Sequence, residues 1–62
     1  MIYKVIVHLQ GNMKINLVLH EYYHDVLFKW WLEKENTVVI KAAHGEEVFL
    51  DRKNIQYISV IN

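Results

Sequence analysis

Apolar and polar residues alternate with a period of two from Met1 to Leu9. Met1, Tyr3, Val5, Val7 and Leu9 fall on one side, and Ile2, Lys4, Ile6 and His8 on the other. That period, with its β-branched residues, predicts a strand. Gln10-Gly11-Asn12 supplies two residues that tolerate positive φ, a turn signal. Alternation resumes from Lys14 to His20, with Ile15, Leu17 and Leu19 against Lys14, Asn16, Val18 and His20, so a β-hairpin is expected. Ile15, Val18, Leu19, Tyr22, Val26 and Trp30 also fit helical spacing, which leaves a single helix from Asn12 to Glu35 as a competing reading.

From Glu21 to Glu35 the period is helical. Around Leu27 lie Tyr23, Trp30, Trp31 and the stem of Lys34, with Val26 at one flank and Phe28 and Leu32 round the other. Asp25, Lys29 and Glu33 make the polar face. The apolar arc exceeds the ~100° stripe that one sheet covers, so either Phe28 and Leu32 or Val26 and Trp30 should be only partly buried. Glu21 and Asp25 near the start and Lys34 near the end suit the helix dipole, and Asn36 is the expected C-terminal cap.

Thr37 to Ala43 reads as a third strand, with Val38, Ile40 and Ala42 on one face. His44-Gly45 turns into Glu46–Asp51, where Val48 and Leu50 oppose Phe49. The polar turn Asp51-Arg52-Lys53-Asn54 precedes a last strand, Ile55 to Ile61, with Ile55, Tyr57 and Ile61 set against Gln56, Ile58 and Val60. The predicted fold is α+β in the order ββαβββ, a curved antiparallel sheet or small open barrel packed on one helix, as a single domain over residues 1–62. Apolar residues on both strand faces (Ile2, Ile6 and Val18, then Val39, Phe49, Ile58 and Val60) exceed what one helix can cover. The surplus predicts oligomerisation or partner binding.

Composition narrows this further. The 62 residues contain no cysteine, which excludes a disulfide framework and a thiolate metal site. At 53% hydrophobic, with two tryptophans, four tyrosines and two phenylalanines, the chain is no disordered segment. Seven basic and seven acidic residues balance, which argues against a general electrostatic hold on nucleic acid and equally against an acidic DNA mimic. There is no leader-like segment and no apolar run near ~20 residues, so a cytoplasmic protein without membrane contact is expected.

The first residues of the helical stretch, His20-Glu21-Tyr22-Tyr23-His24, spell His-Glu-x-x-His and resemble the zincin metallopeptidases over five residues. Histidines at i and i+4 of one helix share a face and bind one zinc, and the glutamate polarises its water. The resemblance implies zinc ligation by His20 and His24, with Glu21 as general base. Zincins take a third ligand from a later helix, and no later helix is predicted here; Glu35, Glu46, Glu47, His44 or Asp51 could serve, and nothing picks one out. The preferred reading sets His20 at a strand–helix junction, treats both histidines as polar residues near a helix start, and expects no cofactor. Tyr22, Tyr23, Phe28, Trp30 and Trp31 could form a base-stacking platform, but core plus interface suits a helix flanked by Asp25, Glu33 and Glu35 better. Arg52 and Lys53, with Lys4, Lys14 and Lys41, read as solvated charges at sheet edges. Ser59, the one serine, is expected inside the last strand.

Val48 to Ile58, with its Asn-Ile-x-Tyr-Ile strand, resembles the closing strands of many small Gram-positive bacterial and phage proteins. It is also similar to the strand–turn–strand end of Sm-like and SH3-like barrels. The expected function is a small non-enzymatic protein-interaction module, a regulator or phage-type inhibitor. Phe28, Trp30, Leu32, Ile6, Val18 and Phe49 would meet a protein partner or a second copy. The alternatives are a zinc-binding or hydrolytic protein using His20, Glu21 and His24, and a nucleic-acid-binding small barrel.

Overall fold

The computed structural model describes residues 1–61. Its elements run β1 (Ile2–Leu9), β2 (Lys14–His20), α1 (Glu21–Glu33), β3 (Thr37–Lys41), β4 (Glu47–Asp51) and β5 (Ile55–Ile61), which is the α+β order the periodicity predicts. Short 3-10 turns, Gln10–Asn12 and Arg52–Asn54, join β1 to β2 and β4 to β5. All pairing is antiparallel, in a three-stranded sheet of order β2-β1-β5 and a two-stranded sheet β3-β4, without closure into a barrel. The competing long helix from Asn12 does not form, because residues 14–20 pair with Ile2 to His8 of β1.

The first hairpin closes through the Leu9 amide donating to the Met13 carbonyl at 2.7 Å. Its turn needs positive φ at Gly11 (76°) and Asn12 (62°), the two residue types that adopt it at least cost. The sheets meet where the Ala43 amide donates to the Val18 carbonyl at 2.7 Å, just beyond the end of β3.

The inner faces carry the core. Val5 and Val7 of β1, Leu17 and Leu19 of β2, Ile40, Leu50 and Ile55 pack on Leu27 and Trp30 of α1. Each such side chain contributes about 1.5–3 kcal/mol on burial, and few are available, so polar contacts at the helix ends weigh heavily in a domain this small. The indole Nε1 of Trp30 is buried, with no hydrogen-bond partner among the described residues.

The structure corrects the reading at three places. The helix ends at Glu33, two residues early, because Lys34 turns into the left-handed region (φ 59°, ψ 32°). Lys34, not Asn36, is therefore the C-terminal cap, and its stem lies exposed instead of on the apolar side. The β5 alternation is broken by a bulge. Leu9 faces Ile55 but His8 faces Tyr57, so Gln56 is the extra residue. Beyond it the faces invert. Ile58 and Val60, expected outside, pair with Val7 and Val5 on the core side, and Tyr57 and Ile61 pair with His8 and Lys4 on the outer side. Finally Trp30, expected at an interface, is 3% exposed and belongs to the core.

Candidate interaction surface

Strand pairing fixes which residues share the outer face. In the three-stranded sheet, Lys4 lies between Val18 and Ile61, Ile6 between Asn16 and Ser59, and His8 between Lys14 and Tyr57, with Ile2 opposite His20 at one end. Ile2, Val18, Tyr57 and Ile61 are exposed apolar side chains, and Ile6 is half-buried. On the second sheet, Val39 faces Phe49 across the β3–β4 pair, and Phe49 is 78% exposed. A groove of about 570 Å³ opens beside this pair, lined also by Thr37 and Asp51. Lys41 opposite Glu47 adds an opposite-charge pair on the same face.

The helix contributes less than its sequence suggested. Leu32 is 77% exposed and Phe28 half-buried, so the surplus apolar flank is the one holding these two residues. Of the six expected interface residues, Ile6, Val18 and Phe49 lie on outer sheet faces, Phe28 and Leu32 on the helix flank, and Trp30 inside.

The His-Glu-x-x-His string is split by the fold. His20 is the last residue of β2 and caps α1 in extended backbone (φ −72°, ψ 161°), with no side-chain hydrogen bond to the helix. The shared helical face that the zincin pair requires is not formed. Glu21 opens the helix and accepts from the Tyr3 hydroxyl at 3.4 Å. His24 lies between two aromatic rings, stacked on Tyr3 at 4.0 Å between centroids and tilted against Phe28 at 4.9 Å, with its Nδ1 3.1 Å from an Asp25 oxygen. Among the described residues, no three side chains of ligating type gather where one ion could sit. Burial of its ring, then the nearby Glu21 carboxylate and its hydrogen bond, and then Asp25 hold the Tyr3 phenol above its ordinary pKa.

Ser59 is on the outer face and half-buried, its Oγ 2.6 Å from His8 Nε2, while the His8 ring stacks on Tyr57 at 4.0 Å. Nucleophilic catalysis needs the histidine oriented by a third group and donors around the developing oxyanion. Among the described residues no carboxylate hydrogen-bonds His8; the pair is a diagonal cross-strand polar contact between β1 and β5. The sequence concealed it, since the two residues lie 51 positions apart.

Arg52 is the other residue whose role the sequence concealed. Its guanidinium donates to the carbonyls of Trp30 (3.1 Å), Trp31 and Glu35 (3.0 Å), and lies over the Trp31 and Trp30 rings at 4.3 and 5.3 Å. Its own amide donates to the Asn36 carbonyl at 2.8 Å. This arginine closes the end of α1 and is no free edge charge.

No protein-family model, curated protein sequence or solved structure matches the chain. No helix among the described residues is long and apolar enough to cross a membrane.

Proposed function

We propose that this chain is a non-enzymatic protein-interaction module, of the kind a small bacterial regulator or a phage-type inhibitor provides, and that its outer sheet face takes a partner protein. The observation that carries this reading is Phe49, a phenylalanine in the middle of an ordered strand with 78% of its surface exposed and Val39 directly opposite. Burying such a ring contributes about 1.5–3 kcal/mol, and aromatic residues, phenylalanine among them, are enriched at the cores of protein interfaces. Ile2, Val18 and Ile61 on the other sheet, with Leu32 on the helix, extend the apolar supply. The nucleic-acid reading draws less support. Lys4, Lys14 and Lys41 are spread over the outer faces with Glu47 among them, and the chain is neutral overall.

Photo-crosslinking in living cells that produce the protein tests this directly. A photoreactive residue at position 49 should give discrete protein adducts, and the same residue at Lys29, on the polar face of α1, should give none. Equal labelling from both positions, or none from position 49, overturns the reading. Adducts that nuclease removes transfer it to the nucleic-acid alternative.

A further inference from the structure

A sheet edge leaves a row of backbone donors and acceptors unpaired, and native proteins usually guard it with charges, proline or a covering element. Three of the four edge strands here are guarded. Strand β2 carries Lys14 and receives the Ala43 amide, β3 carries Lys41, and β4 is bracketed by Glu47 and Asp51. Strand β5 lies at the end of the order β2-β1-β5, and no strand pairs its far side among the described residues. Its sequence, Ile55-Gln56-Tyr57-Ile58-Ser59-Val60-Ile61, holds neither charge nor proline. The bulge at Gln56 twists one end away, leaving Tyr57 to Ile61 as a regular edge with Tyr57, Val60 and Ile61 exposed.

We propose that this edge pairs with β5 of a second copy of the chain, antiparallel, about a two-fold axis through Ser59. Five regular residues centred on Ser59 are complementary to themselves. Tyr57 meets Ile61 of the other copy on the outer face, an aromatic–β-branched pair of the favourable kind. Ile58 meets Val60 on the core side, and Ser59 meets Ser59. No like charges are opposed, because the segment has none, and each copy supplies what the other lacks, as a two-fold interface requires. The product is a six-stranded sheet, β2-β1-β5-β5-β1-β2, with both outer faces on one side, so the surface proposed for a partner is doubled. Phe49 lies on the other sheet, so edge and outer face stand or fall separately.

The test is the concentration dependence of mass by light scattering, with and without EDTA. The full chain should approach twice its 7.5 kDa mass in both conditions. Ser59→Asp keeps an acceptor beside His8 in each copy but sets two carboxylates against each other at the axis. Self-association should weaken at least about tenfold. Mixing Ser59→Asp with Ser59→Lys should restore a dimer of unlike chains, which only a contact of residue 59 with its own counterpart explains. Circular dichroism checks that both variants fold. Should either fail to fold, hydrogen exchange of the native chain decides: amides within residues 57–61 should become protected as concentration rises. A native chain that stays monomeric, an EDTA-sensitive dimer, Ser59→Asp associating as tightly as the native protein, or exchange of residues 57–61 independent of concentration overturns the proposal. Loss of adducts from position 49 with the dimer intact would instead strike only the outer-face reading.

Discussion

The two ends of α1 are built in opposite ways. At its C-terminal end the helix stops on a left-handed lysine, Lys34, and two carbonyls of its last turn, those of Trp30 and Trp31, accept from one side chain, Arg52, which also lies over two indoles. At its N-terminal end stands the five-residue string that looks most like chemistry, and there the capping residue His20 makes no side-chain bond to the helix at all. The residue pattern that attracts notice belongs to the end without a side-chain cap. The arginine that reads as an ordinary turn charge holds the other. Local sequence reports what a residue type can do; only the tertiary fold decides whether neighbours let it.

The largest test of that contrast is Arg52→Ala. The substitution strips three carbonyl acceptors of a charged donor at the negative end of the helix dipole and removes the cation over Trp31. It should cost about 2–3 kcal/mol, read as a fall in Tm of roughly 10–20 °C for a domain of this size. Arg52→Lys should recover less than half, because an ammonium cannot reproduce the planar fork that reaches Trp30, Trp31 and Glu35 together. A loss below about 0.5 kcal/mol, the usual ceiling for surface changes, would return Arg52 to the status of a solvated edge charge.

A smaller effect of opposite sign is expected at the other end. His20 already has the extended backbone of an N-cap (φ −72°, ψ 161°) but lacks an acceptor placed for the first helical amides. His20→Asp supplies one, together with a negative charge where the dipole favours it, and should raise stability by about 0.5–1 kcal/mol in urea melts. The same change destroys the His-Glu-x-x-His string, so it also tests the resemblance. If EDTA lowers the native midpoint but leaves that of His20→Asp unmoved, His20 holds a metal and the uncapped end is a working one after all.

How much of this could be read from the chain depends on the range over which each feature is encoded. Period-two and helical spacing found Val5, Val7, Leu17, Leu19, Leu27, Ile40 and Leu50, all now in the core, because side-chain direction within one element is a local property. The surplus on Phe28 and Leu32 was also readable, from the width of one helical arc. What failed was non-local. Gln56 is an extra residue only relative to β1, so its bulge, and the inversion of Tyr57 through Ile61 that follows, has no signature within β5 itself. Arg52 lies 17 to 22 residues from the carbonyls it binds, and no pattern of charges announces a carbonyl acceptor. The fate of Trp30 follows from the same blindness: its helical position left burial and exposure equally open until the sheet chose a side.

The smallest expected effect lies at the N-terminal end and appears only in alkali. The Tyr3 phenol is held above its ordinary pKa, first by burial against its neighbours and then by the Glu21 carboxylate it bonds at 3.4 Å, with Asp25 adding to the same direction. A phenol whose pKa is higher in the folded chain than in the unfolded one keeps its proton longer when folded. The unfolded chain therefore binds fewer protons once pH passes the ordinary phenol value of 10.0, and stability falls as pH rises from there through the folded pKa. Below that window the contribution is fully present. Tyr3→Phe keeps the ring on His24 and removes the ionisation, so its urea midpoint should hold steady where the native one slopes downward. Glu21→Gln should flatten the same limb in part, because the contributions of burial and of Asp25 remain. If the native and Tyr3→Phe midpoints fall in parallel above pH 10, Tyr3 is not coupled to the first turn of the helix. The stack on His24 would then be the contact through which this tyrosine joins β1 to that end of α1.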